Sequence, residues 1–380
     1  MIYLDHAATT PVKEEVLKAM QPYLQDHYGN PGSLHGAGIR AKAAVEYARR
    51  QVAECFDCEP HQVIFTPSGT YANNLAILGL ESALRDMNKT HIIASACEHK
   101  SVLAPLRELE NRGFEVTFVT GKESRITWND IAPYLRRSTG LVVAMGVNNE
   151  TGVASDFSTI AQECLGLQIF YHMDAVQTAG VLPLHFRQMH GVSSFSVSGH
   201  KIGAPKGCGC LIVSNPAELR PLIFGGGQEM GLYAGTENVP AIVGFGKACS
   251  CLDVFRGVYP ALFVNELARL CDAELNTSID HLFWKVVSLY IPDVDADSLI
   301  IALANKGVCI SAGAACDSRH SEPSHVLMAM GLSEERARQS IRLSFSNNRS
   351  FDEYEKALTI IAETVHQLRR LKQNKHTEDA

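Results

Sequence analysis

Val192-Ser193-Ser194-Phe195-Ser196-Val197-Ser198-Gly199-His200-Lys201 decides how this chain is read. Residues 192–197 have the β-branched and aromatic character of a short strand. Ser198 to Lys201 places a hydroxyl, a glycine, an imidazole and an amine just past its end, and Ile202-Gly203-Ala204-Pro205-Lys206-Gly207 must then turn. A lysine at the end of a strand, beside Ser and His donors, suits Schiff-base formation with an aldehyde cofactor whose phosphate the neighbours would hold. The same run reads equally as a surface lysine after a polar turn.

Working outward, the unit of strand, polar loop and helix recurs. His91-Ile92-Ile93-Ala94-Ser95, Leu141-Val142-Val143-Ala144-Met145, Gln168-Ile169-Phe170-Tyr171-His172-Met173 and Val63-Ile64-Phe65-Thr66 read as strands. Their near-continuous apolar character indicates strands buried on both faces, as in a largely parallel sheet. Helical stretches intervene at Lys42–Glu54 and Thr159–Leu165. There is no internal repeat and no low-complexity segment. Past the strand ends stand Pro67-Ser68-Gly69-Thr70, Cys97-Glu98-His99-Lys100, Asn148-Asn149-Glu150-Thr151-Gly152 and Asp174-Ala175-Val176-Gln177. Open α/β sheets place ligands at the carboxyl ends of their strands, so these loops and Ser198–Lys201 should converge on one crevice.

Each loop can be given a task. Ser68-Gly69-Thr70 opens a helix expected from about Tyr71 to Leu80, whose free N–H groups suit a phosphate; an ordinary capped helix would look the same. Asp174 follows a buried strand and, if it is not simply an N-cap, should meet a cation such as a protonated pyridine nitrogen. His99 could stack on a ring and move protons, or be structural.

Composition removes other classes. The 380 residues suit two domains, and 46% hydrophobic with 20% charged residues is typical of a soluble globular protein. The formal charge of −7 argues against a nucleic-acid face; the one basic cluster, Arg369-Arg370-Leu371-Lys372, reads as a solvated helix face. No apolar run reaches membrane-spanning length, and Met1–His6 lacks the character of a signal peptide, so a cytoplasmic protein is expected. The eleven cysteines are scattered and read mainly as buried free thiols. Cys55-Phe56-Asp57-Cys58 has metal-ligand spacing without a second pair, and no metal site is expected.

Several motifs together give the chain a resemblance. They are Tyr3-Leu4-Asp5-His6-Ala7-Ala8-Thr9-Thr10, Tyr28-Gly29-Asn30-Pro31, Glu98-His99-Lys100, Val147-Asn148-Asn149-Glu150, Asp174-Ala175-Val176-Gln177 and Ser198-Gly199-His200-Lys201. Gly235-Thr236-Glu237-Asn238-Val239, Ser311 to Cys316, Glu322-Pro323-Ser324-His325-Val326-Leu327 and Ser340-Ile341-Arg342 complete the set. Over nearly its whole length the chain resembles the cysteine desulfurases, class V aminotransferase-like enzymes of fold type I that use pyridoxal 5'-phosphate. The resemblance implies an α/β fold, with a mostly parallel seven-stranded sheet flanked by helices and a smaller α+β domain. The large domain would span 11–248. Residues 1–10 and 249–371 would form the small one, and 372–380 a disordered tail.

The resemblance also implies roles. Lys201 would form the Schiff base, Asp174 would pair with the pyridine nitrogen, Gln177 would bond the ring hydroxyl, and His99 would stack on the ring and transfer protons. Gly69, Thr70, Ser198 and His200 would hold the phosphate, and Thr236 would reach the phosphate of the other subunit in a homodimer. Asn149 and Arg342 would bind the substrate carboxylate, a role that the bidentate guanidinium fork suits on chemical grounds alone. Cys316 lies in the small, polar run Ser311–Ser321, whose composition favours a mobile loop. By itself it reads as an inert loop cysteine; with the resemblance it becomes the nucleophile that takes sulfur from L-cysteine. The products would be alanine and a Cys316 persulfide, passed to an acceptor protein serving iron–sulfur assembly, tRNA thiolation or DNA phosphorothioation. A selenocysteine lyase, an aminotransferase or a non-catalytic relative are the alternatives.

Departures from the family pattern stand at four positions. Tyr71 replaces an acidic residue, Met230 and Tyr233 replace common arginines, and Asp317 replaces a neutral residue beside Cys316. An anion at 317 should disfavour the thiolate, with Arg319 and His320 offsetting it.

Overall fold

The structure is a computed structural model that describes residues 1–313, 322–347 and 350–378. Its strands, in chain order, are β1 (Ile2–Tyr3), β2 (Val63–Thr66), β3 (His91–Ser95), β4 (Glu115–Val119), β5 (Thr139–Val143) and β6 (Phe170–Asp174). They continue with β7 (Ser194–Ser198), β8 (Gly209–Val213), β9 (Glu274–Leu275), β10 (Val286–Tyr290), β11 (Val308–Cys309) and β12 (Ser340–Ser344). Seven form one sheet in the order β2-β8-β7-β6-β5-β3-β4. Only β8 runs antiparallel to its neighbours; the remaining pairs are parallel. The mostly parallel seven-stranded sheet expected from the sequence is therefore present.

Burial explains the sheet. Every residue of β2, β3, β5, β7 and β8 is buried, because helices cover both faces. On one face, helices Gly36–Cys55, Phe157–Gly166 and Val239–Ser250 pack Val45, Val52, Ile160 and Phe245 against Phe65, Val142 and Phe195. On the other, helices Gly69–Leu78 and Lys100–Asn111 pack Leu75, Val102 and Leu106 against Ile64, Ile92 and Val143. A second core gathers Leu4, Leu267, Leu289, Leu303, Leu343 and Ile361 around the sheet β12-β10-β9.

The N-terminal segment ties the two cores together. β1 pairs in parallel with β11, and Leu4 is buried in the second core. Asp5 bridges to Ser344 and the Ala7 amide donates to the Ser344 hydroxyl. The chain then crosses to the large sheet, where the Thr10 amide donates to the His200 carbonyl. The turn after Asn149 is held by Gly152, whose φ of +76° and approach to the Val286 carbonyl exclude a side chain.

Two features differ from the sequence reading. β4 and β8 complete the sheet although the sequence reading had neither; β4 is a partly buried edge strand and β8 opens with Gly209 and Cys210. The last helix, Phe351–Glu378, runs past Leu371, where the reading ended it in a disordered tail. Residues 372–378 contain neither Gly nor Pro, and Lys and Gln extend a helix at little cost. No described helix is long and apolar enough to cross a membrane.

Candidate active site

The five strand-end loops do converge. A cavity of about 190 Å³ is lined by Gly69, Thr70, His99, Asn149, Asp174, Gln177, Ser198, His200, Lys201 and Arg342, with Met145 and Val147 as apolar wall. These are all the sequence-derived candidates except Thr236 and Cys316. Thr236 is exposed and lies outside its own chain's cavity. Cys316 and Asp317 lie outside the described residues.

Lys201 ends the short helical turn Gly199–Lys201 that follows β7. Its Nζ donates to the Ala7 carbonyl and, at 2.8 Å, to the Ala8 carbonyl. The amine is thus held at the cavity wall by the N-terminal segment. Gln177 donates its amide to the same Ala7 carbonyl at 2.9 Å, which leaves its second N–H for the cavity. His200 meets the Thr9 hydroxyl through Nδ1 at 3.1 Å. Burial, with the charges of Lys201 and Lys206, pushes its pKa down to about 4. It is therefore neutral at physiological pH.

Asp174 closes β6. Its Oδ1 accepts the Val176 amide at 2.9 Å and its Oδ2 accepts the Asn73 amide at 2.8 Å. It is 6% exposed, and among the described residues no Lys or Arg pairs with it. A buried carboxylate without a cation is costly, so this residue is built to meet a positive group within the cavity. Opposite it, Ser68 caps helix Gly69–Leu78 by accepting the Tyr71 amide at 3.1 Å. A Cβ on Gly69 would meet Val176 Cγ2 at 2.8 Å and Ser198 Cβ at 3.2 Å, so only glycine fits there. The helix start therefore presents bare backbone, suited to a phosphate, next to the Ser198 hydroxyl.

His99 does two things at once. It caps helix Lys100–Asn111, accepting the Ser101 amide on Nδ1 at 3.1 Å. This leaves the proton of the neutral ring on Nε2. Burial lowers its pKa, and the charges of Lys201 and His325 add to that against the pull of Asp174. Next to it, burial and the Asp174 charge hold the Glu98 carboxyl well above its usual range, against the Met145 amide that it accepts.

The sequence reading missed the residues that join these parts. Asn73 donates to both Asp174 and the Ser101 hydroxyl at 2.8 Å and meets His172 Nε2 at 3.0 Å. Ser101 in turn contacts His99 Nδ1 at 2.8 Å. One hydrogen-bonded chain therefore links Asp174 to His99. The only sequence signal was the pair Asn73-Asn74 in an otherwise apolar helix.

Arg342 lies on β12 and is 3% exposed. Its Nη1 donates to the Asn149 carbonyl at 3.1 Å and its Nη2 to Asp5 Oδ1 at 2.9 Å. The Asn149 side-chain oxygen is buried without a partner among the described residues. The stretch around Cys316 is flanked by this same corner. Ser311 exchanges backbone hydrogen bonds with Arg342, and the Ser324 hydroxyl donates to Glu150.

A buried anion without a cation, a helix start stripped of side chains and a lysine amine on one cavity fit a ring cation, a phosphate and an aldehyde. These are the features of a lysine-dependent α/β enzyme. The aminotransferase class-V family model matches residues 2–356. The chain is 37% identical over 377 residues to the putative cysteine desulfurase IscS 1 of Bacillus subtilis (strain 168), covering 97% of this chain and 99% of that one. Among solved structures, a NifS-like protein matches with a TM-score of 0.89 at 30% identity, covering 96% of this chain and 99% of the other. A structure described as SspA in complex with cysteine matches with a TM-score of 0.82 at 34% identity, covering 91% and 99%. The chain belongs to the cysteine desulfurases of the aminotransferase class-V family, pyridoxal-phosphate-dependent enzymes that act on L-cysteine.

Proposed function

We propose that the residues of this cavity carry the desulfurase reaction, with Lys201 as the amine and proton acceptor, Arg342 and Asn149 as carboxylate ligands, and Cys316 as sulfur acceptor. The observation that carries this reading is the convergence of Lys201, Asp174, His99 and Arg342 on one cavity. Bound pyridoxal phosphate would supply an aldehyde for amines and a sink for electrons. Asp174 would hold the proton of its ring nitrogen and Gln177 its hydroxyl. Gly69, Thr70, Ser198 and the neutral His200 would hold its phosphate. Thr236 would add a donor from the second subunit of a cytoplasmic homodimer.

Arg342 and Asn149 orient L-cysteine by its carboxylate. Lys201, held beside the carbonyls of Ala7 and Ala8, accepts the α-proton; those carbonyls favour the ammonium it becomes. Cys316, as thiolate, attacks the substrate sulfur: an S–S bond forms, the C–S bond breaks, and the carbon keeps the electron pair. His99, protonless at Nδ1, is placed to pass a proton through Nε2. Alanine leaves, and the persulfide awaits a sulfur-acceptor protein.

The test is a pair of variants. Cys316→Ser is expected to keep the cofactor's visible absorbance and to form no persulfide. Lys201→Ala is expected to lose both the Schiff-base absorbance and alanine production. Full sulfur transfer by Cys316→Ser would overturn the assignment, and a keto acid in place of alanine would indicate transamination.

A further inference from the structure

The motif Tyr3–Thr10 carries one carboxylate, Asp5, whose chemistry the reaction above does not use. Its carboxylate accepts from Arg342 Nη2 at 2.9 Å, while the Asn149 carbonyl accepts from Arg342 Nη1 at 3.1 Å. The pair is buried, with side-chain exposures of 3% for Arg342 and 16% for Asp5. We infer that Asp5 is a positioning residue for substrate recognition, fixing the plane and the charge of the guanidinium that receives the carboxylate of L-cysteine. This rests on the reading of Arg342 as the carboxylate ligand.

The physical argument has two parts. A buried guanidinium with no counter-charge is costly, and before substrate arrives Asp5 is the only carboxylate paired with it among the described residues. Asp5 therefore offsets the cost of burying the Arg342 guanidinium. Second, two acceptors on the two terminal nitrogens fix the fork's plane, and each of those nitrogens keeps one further N–H. Those N–H groups, with the Nε–H that is buried without a partner among the described residues, remain for a carboxylate. Asp5 is itself fixed, because its backbone bridges to Ser344 and the following segment is tied to β12 by Ala7 and Ser344. The recognition element is thus set before the ligand binds.

The experiment is equilibrium binding to the holoenzyme, by calorimetry, of two probes that differ in one group. L-Alanine carries the α-carboxylate; 2-aminoethanethiol carries the amine and thiol without it. Asp5→Asn is expected to weaken L-alanine binding about tenfold and to leave 2-aminoethanethiol unchanged, as befits the loss of one charge-assisted contact. Asp5→Glu should recover part of the loss. Steady-state kinetics should show the same split, with KM for L-cysteine raised and kcat nearly kept. Unchanged or tighter L-alanine binding by Asp5→Asn would overturn the inference, as would an equal loss for both probes. Arg342→Ala in the same assay separates the two claims. If it spares L-alanine binding, the assignment of Arg342 fails; if it abolishes binding while Asp5→Asn does not weaken it, only the role of Asp5 fails.

Discussion

Tyr71 and Tyr233 are two separate departures from the family pattern in the sequence and one contact in the structure. Their rings meet edge to face, with centroids 4.9 Å apart and planes at 71°. The two departures are here an aromatic pair, beside the helix start that would hold the phosphate. Burial raises the pKa of Tyr71, and its buried hydroxyl has no hydrogen-bond partner among the described residues. The pair therefore works through ring contact. A double-mutant cycle with Tyr71→Leu and Tyr233→Leu should return a coupling of about 0.5–1.5 kcal/mol by denaturant unfolding. A coupling near zero would mean that the two rings are independent. Arg342 shows the opposite limit of legibility. Its guanidinium chemistry could be read from one residue, but Asp5 is 337 positions away, and no local pattern connects them.

At the scale of elements, the loop that carries Thr236 is moored by a buried ion pair. Arg49, from helix Gly36–Cys55, makes two hydrogen bonds of 2.8 Å to the Glu229 carboxylate, and the Phe65 amide of β2 donates to the same group. Arg49 also donates to the Val63 carbonyl and lies 4.7 Å from the Phe65 ring centroid. Helix, edge strand and loop thus share one carboxylate. Glu229→Ala leaves a buried guanidinium without its partner and should lower stability by about 3–5 kcal/mol in urea unfolding. Glu229→Gln, which keeps the shape and loses the charge, should lose less. The strands read from the sequence, β2, β3, β5, β6 and β7, are buried over nearly all of their residues, and burial on both faces calls for apolar side chains. β4 was hidden because it mixes charged and polar with apolar residues and is only partly buried, and β8, although fully buried, because it opens with glycine and cysteine. The loops that line the cavity were legible for a different reason: an α/β sheet places ligands at its strand ends, so polar loops at several such ends point to one crevice. The hydrogen bonds through Asn73 were not, since each of its partners sits on another element.

For the whole molecule, the buried imidazoles set a pH response. Burial pushes His172 down to about 4, and burial with the Lys201 and Lys206 charges does the same to His200. An unfolded histidine titrates near 6.5. Between about 6.5 and about 4 the unfolded chain takes up protons that the folded chain refuses. The stability these groups contribute is complete above 6.5 and is lost as pH falls through that window, by roughly 3 kcal/mol for His172 alone. The Tm should fall steadily between pH 6.5 and 4, and His172→Gln should flatten part of that slope. A Tm independent of pH over this interval would contradict the burial of both rings in neutral form.

The bond network of the N-terminal segment also sets an order of events during synthesis. Residues 2–10 are made well before their partners: β1 has no strand to pair with until Val308 and Cys309 are made, and the Asp5 carboxylate has no guanidinium until Arg342. At ribosomal speeds of about 5–20 residues per second, that interval is roughly 15–70 s. The large sheet can form while the segment is still unattached, but the amine of Lys201 cannot be held by Ala7 and Ala8 until the segment docks. The final setting of the Lys201 amine therefore waits for residues made roughly 300 positions after the segment that holds it.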